Sequence, residues 1–119
     1  MYWYLAKIVF RIVCGQGHHK PQFDEQLRLV FASGKEEALE KAHLLGNREA
    51  VIFFNEKQQL VQWQFITTSE LYRLSDLVDG AEIYSRIEET DHAESYVDII
   101  NKKAEQLREN NTHTLLNLA

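Results

Sequence analysis

The single cysteine of the chain, Cys14, stands four residues before an adjacent pair of histidines, His18 and His19. Thiolate sulfur and imidazole nitrogen are good ligands for a transition metal, and Asp24 or Glu25 could supply a fourth donor. Structural zinc sites, however, show paired short spacings on two separate elements, and only one such spacing is present here. No metal and no other cofactor is therefore expected, with Cys14, His18 and His19 the nearest approach to a ligand set. Thiol catalysis at Cys14 would need a base and an orienting group beside it. A free cysteine at the end of an apolar run is more simply a packing residue. Gly15-Gln16-Gly17 lacks the rest of a phosphate-binding spacing, and no G-x-S-x-G elbow occurs. No catalytic residue is assigned, and the reading leans away from an enzyme.

A second constellation is polar and aromatic: Glu25, Trp63, Glu82, Tyr84 and Arg86. Residues of equal parity on a strand share a face, so Glu82, Tyr84 and Arg86 should project together if their segment is extended. An arginine between carboxylates and aromatic rings can hold a planar anion or a peptide by paired hydrogen bonds and stacking. The same neighbours also stabilise an exposed sheet with no ligand at all. Both readings stay open.

The elements that would position these groups must come from 119 residues, 45% of them hydrophobic and 26% charged. That suits one domain, expected over 1–110, followed by a flexible tail over 111–119. One cysteine excludes an intrachain disulfide and fits the reducing cytoplasm. No apolar run approaches the roughly 20 residues of a membrane span, and the opening Met1-Tyr2-Trp3-Tyr4-Leu5-Ala6-Lys7 does not read as a signal peptide. A net charge of −5 argues against nucleic acid, whose binding depends on neutralising phosphates. The charge is uneven. Residues 1–35 carry five basic and two acidic side chains, whereas 70–98 carry nine acids against Arg73 and Arg86. Such asymmetry permits pairing with a protein partner or a second copy, although charge runs are also simply solvated.

Residues 2–14 are rich in aromatic and β-branched types and alternate, which predicts a strand. Tyr2, Tyr4, Ala6, Ile8, Phe10 and Ile12 form one face, and Lys7 and Arg11 join Trp3, Leu5, Val9 and Val13 on the other. After a Gly- and Pro-marked turn, residues 23–32 should pair back as a hairpin, with Phe23, Leu27, Leu29 and Phe31 on one side of a half-exposed strand. Ser33 with Glu36 predicts a capping box opening a helix, and Gly46 should end it. Strands follow at 50–55 and 60–67; residues 70–77 read either as more strand or as a helical turn. Asp79-Gly80 marks a turn, 82–88 a last strand, and Asp91 with Glu94 the start of a final helix.

Several of these motifs occur together in one known family. Trp3-Tyr4 with Ala6-Lys7, Phe23-Asp24-Glu25-Gln26, Glu36-Glu37-Ala38 with Lys41-Ala42, Val61-x-Trp63-x-Phe65-Ile66 and Asp79-Gly80-Ala81-Glu82-Ile83-Tyr84-Ser85-Arg86 follow one another in order. Over residues 3–87 the chain resembles the uncharacterised bacterial family DUF4288. The resemblance implies a lineage and no chemistry, since the family has no assigned activity. The final helix lies outside it.

The expected fold is α+β: an antiparallel sheet of about five strands with two helices packed on one face, in the order β-β-α-β-β-β-α. Trp3, Leu5 and Val9 make the second sheet face apolar, so something should cover it. A second copy is the simplest cover, because most soluble oligomers are symmetric homo-oligomers and dimers are commonest. The leading expectation is a cytoplasmic, self-associating interaction module, probing neither nucleic acid nor membrane. Its competitor is a small-ligand protein or enzyme built around Glu25, Tyr84 and Arg86.

Overall fold

The computed structural model describes residues 1–109, and the expected tail over 111–119 lies outside the described residues. The chain divides into two compact units, the first being Met1–Ser85 and the second opening at Arg86. In chain order the elements are β1 (Tyr2–Cys14), β2 (Gln22–Ala32), α1 (Lys35–Glu49), β3 (Val51–Phe54), β4 (Leu60–Arg73) and α2 (Ala93–Arg108).

The first unit is one four-stranded antiparallel sheet in the order β2-β1-β4-β3, with α1 against it. β1 is central because both its faces are apolar enough to be covered. Tyr4, Ala6, Ile8 and Phe10 point to the helix side and join Val30, Ala32, Ala38 and Ala42 in the buried core. Small residues on α1 let the helix approach closely. At Gly46 a Cβ would lie 2.3 Å from the Phe65 ring. β1 and β2 run in unbroken register from Tyr2↔Ala32 to Ile12↔Gln22. The β1–β4 ladder is instead interrupted twice, between Lys7 and Ile8 and between Val9 and Phe10. Each interruption is an extra β4 residue, of the kind that bends a strand and increases its twist.

The fold is α+β as expected, with four strands and not five. Residues 70–73 extend β4 to fourteen residues, whereas 82–88 form no strand. Two isoleucines four residues apart, Ile83 and Ile87, are too sparse a pattern to fix an edge pairing, and Tyr84 instead sets its ring edge-on to Tyr72, 5.4 Å between centroids. The Asp79-Gly80 turn is present, with Gly80 at φ 84° and the Ala81 N–H donating to the Val78 carbonyl at 2.9 Å.

Three helix boundaries differ from expectation. Gly34 is the N-cap of α1, and Glu37, one residue later than the expected Glu36, accepts from the Ser33 hydroxyl at 2.5 Å and its N–H at 3.3 Å. Gly46 does not stop the helix, which runs on to Glu49; the glycine is there because Phe65 leaves no room for a side chain. In the second unit, α2 begins after His92, whose N–H donates to Thr90 Oγ1 at 3.1 Å. Its Tyr96, Val97, Ile100 and Leu107 are exposed. Among the described residues, no helix is long and apolar enough to cross a membrane.

Candidate functional site

The sheet face turned away from α1 is where exposed apolar surface and paired charges meet. Strand alternation places the odd-numbered residues of β1 and β2 there: Trp3 beside Phe31, Leu5 beside Leu29, Lys7 beside Leu27, Val9 beside Glu25 and Arg11 beside Phe23. Phe23, Leu27, Leu29 and Phe31 retain 54%, 47%, 51% and 40% of their surface in solvent. Trp3 and Phe31 pack as tilted rings 4.7 Å apart, and the Arg11 guanidinium sits 5.8 Å from the Phe23 ring centre. β2 therefore gives its long apolar row to the open face and only Val30 and Ala32 to the core. The helix-side row Asp24, Gln26 and Arg28 is polar. Gln26 donates to Asp24 at 2.6 Å, and Arg28 donates to Gln26 at 3.0 Å. Arg28 also forks onto Glu49 of α1 at 2.7 and 2.8 Å. That fork raises the Arg28 pKa and holds the Glu49 carboxyl below its ordinary value.

Toward β4 the open face becomes polar. Lys7 Nζ lies 2.5 Å from Glu70 Oε2, and the Tyr72 hydroxyl donates to Glu70 Oε1. The Tyr72–Tyr84 ring contact brings Tyr84 to this cluster. Hydrogen bonding to Glu70, then partial burial, pushes the Tyr72 phenol up to about 12. The same carboxylate raises Lys7 through its hydrogen bond, with smaller contributions from the charges of Glu25 and Tyr84. Each charged group at the centre of this network already has its counter-group, so the arrangement orders the sheet and leaves no unmatched charge at its centre.

The residues singled out from sequence are thus dispersed. Glu25 and Tyr84 reach the electrostatic surroundings of Lys7. Trp63 pairs with Ile12 and packs 6.1 Å from Phe10 on the helix side. Glu82 is exposed on a segment without regular structure. Arg86, in the second unit, pairs with Glu88. With 82–88 irregular, the shared strand face expected for Glu82, Tyr84 and Arg86 does not exist. Trp3, Leu5 and Val9 do share the open face, but Leu5 is 5% exposed and Val9 half-buried. Trp3 and the β2 row are what it presents. Lys7, Glu70 and Tyr72 were missed because residues 70–77 read ambiguously. The i,i+2 spacing of Glu70 and Tyr72, read as a strand, is the signal that would have found them.

The Cys14–His19 turn is put to structural use. His19 Nε2 accepts the Cys14 backbone N–H at 2.9 Å, so Nδ1 carries the proton and donates to the Lys20 carbonyl at 2.9 Å. Both ring nitrogens are thereby occupied. Among the described residues, no three His, Cys, Asp or Glu side chains gather closely enough to hold a metal ion.

No curated protein matches the chain, and no solved structure does. A family model described as a domain of unknown function matches residues 3–85, which is β1 through the Tyr84 segment and so the whole sheet with α1. By that match the chain belongs to the DUF4288 family.

Proposed function

We propose that this domain is a non-enzymatic protein-interaction module that self-associates through the sheet face opposite α1. One observation carries the reading: Leu27, Leu29 and Phe31 form an exposed apolar run beside Trp3, with Phe23 beyond Glu25, on a face that no helix of the first unit covers. Contiguous apolar surface of this kind marks an interaction site more often than scattered exposed residues do. The competing ligand-site reading is less well supported, since Lys7, Glu70 and Tyr72 satisfy one another and Trp63 lies on the other face. A single half-buried thiol suits the cytoplasm as the place of action. The net charge of −5 suits a protein partner better than nucleic acid.

Sedimentation equilibrium tests the reading directly. The wild-type chain is expected to sediment at twice its monomer mass at tens of micromolar, and Leu29→Asp at monomer mass. Leu29 is half exposed, so the substitution leaves the core untouched. A wild-type chain that stays monomeric at that concentration overturns the proposal.

A further inference from the structure

The far end of β4 carries a cleft on the other side of the sheet from the exposed β2 row. Cross-strand partners share a face, so Arg73, which pairs with Tyr4, projects on the α1 side, away from Leu27, Leu29 and Phe31. There its guanidinium lies over the Tyr2 ring, 3.5 Å from the ring centre. Both side chains are exposed, so α1 does not cover them. Stacking on an aromatic ring holds the guanidinium plane and leaves its edge N–H groups free to donate. Among the described residues, no carboxylate pairs with Arg73.

Arg73 lines a cleft of about 550 Å³ together with Tyr2, Ser75, Asp76 and Leu77, a volume in the range of small-molecule sites. Asp76 stands three residues after Arg73, yet the two do not ion-pair, and no other cation among the described residues pairs with Asp76. Between them Leu74 is buried, and its N–H donates to the Trp3 carbonyl at 2.8 Å. That bond ties the segment bearing Ser75 and Asp76 to β1. One cleft thus displays a cation and an anion, neither neutralised, beside apolar surface of Tyr2 and Leu77 that is 42% and 45% exposed.

We propose that this cleft binds a free amino acid with an apolar side chain. Its carboxylate accepts paired hydrogen bonds from the Arg73 fork, its ammonium group pairs with Asp76, and its side chain lies against Leu77 and Tyr2. A simple anion would meet the Asp76 carboxylate, and a simple amine the Arg73 guanidinium, so the two residues together select a molecule that carries both charges. The cleft and the self-association surface lie on opposite faces of the sheet, and either can hold without the other.

Two-dimensional amide NMR spectra of the full chain, titrated with L-leucine to millimolar concentration, test this. Saturable shifts centred on residues 2–3 and 73–77 are expected. Leucinamide lacks the carboxylate and N-acetyl-leucine lacks the ammonium group; each should bind roughly tenfold more weakly or worse, having lost a hydrogen bond between charged groups. Arg73→Lys keeps the charge without the fork and should weaken leucine binding. Asp76→Asn removes the repulsion of an anion, so N-acetyl-leucine should then bind at least as well as leucine. Structural damage would not produce that reversal, and both replaced side chains are exposed, so urea midpoints should stay at the wild-type value. The absence of saturable shifts, or shifts that Arg73→Lys and Asp76→Asn leave unchanged, overturns the site. A wild-type chain that prefers N-acetyl-leucine overturns its assignment to an amino acid.

Discussion

Replacing Gly46 with alanine sets two effects of known sign against each other. In a helix interior, alanine is favoured over glycine by about 0.8–1 kcal/mol, so at an exposed position the change would stabilise. Gly46 is buried, and its added Cβ would stand 2.3, 2.4 and 2.7 Å from three carbons of the Phe65 ring. Ordinary carbon contacts are about 3.5–4.0 Å, so the ring must move by more than an ångström. Phe10 at 5.8 Å and His43 at 5.4 Å hem it in. Overpacking of this kind costs about 1–3 kcal/mol. The expected net change is a destabilisation of up to about 2 kcal/mol, once the helix gain of roughly 1 kcal/mol is subtracted. Urea unfolding followed by tryptophan fluorescence measures it, with Trp63 packed beside Phe10 as reporter. The decisive comparison is the double-mutant cycle. With Phe65→Ala already present the obstruction is gone, and Gly46→Ala should then stabilise by about 1 kcal/mol. A stabilising Gly46→Ala in the wild-type background would refute the close approach and, with it, the reason α1 continues past a glycine.

Two further outcomes are expected. One of the five tyrosines should ionise near 12 in an ultraviolet titration, and Glu70→Gln should return Tyr72 toward its ordinary 10.0. Because the folded value lies above the unfolded one, the contribution of Tyr72 to stability is complete below pH 10.0 and is lost as pH rises through about 12; stability that rises over that window would contradict the network. In the β3–β4 turn, Asn55 Oδ1 accepts the N–H groups of Lys57 and Gln59 at 2.9 and 3.0 Å. Asn55→Ala should cost about 1–2 kcal/mol, the net worth of two such bonds, read as a lower urea midpoint at unchanged slope.

Much of the candidate site was legible from alternation alone. Trp3, Leu5 and Val9 were placed on one face of β1, and that face is the open one. The role of β2 was not legible. Phe23, Leu27, Leu29 and Phe31 form an apolar row broken only by Glu25, which by itself reads as a buried side. Nothing local says that Val30 and Ala32, on the strand face that otherwise carries Asp24, Gln26 and Arg28, are the residues under α1. Glu82, Tyr84 and Arg86 were grouped by assuming a strand, and the grouping dissolves when that segment forms none. Lys7 and Glu70 are 63 positions apart in the chain and meet only because β4 pairs back along β1 with two bulges.

The sequence by itself determined the class of fold, the limits of β1, the helical pattern of α1 and α2, and the apolar character of both faces of the first strand. These depend on periods of two and 3.6 residues and on turn chemistry, which act over a few neighbours. Tertiary structure decided which face α1 covers, why a glycine sits inside α1, which strand is left at the edge, and which charges meet. Each of those is a choice among packings that satisfy the same local pattern. The choice is made by contacts between distant residues: a phenylalanine ring that admits no Cβ at Gly46, and a carboxylate at Glu70 that gathers Lys7 and Tyr72.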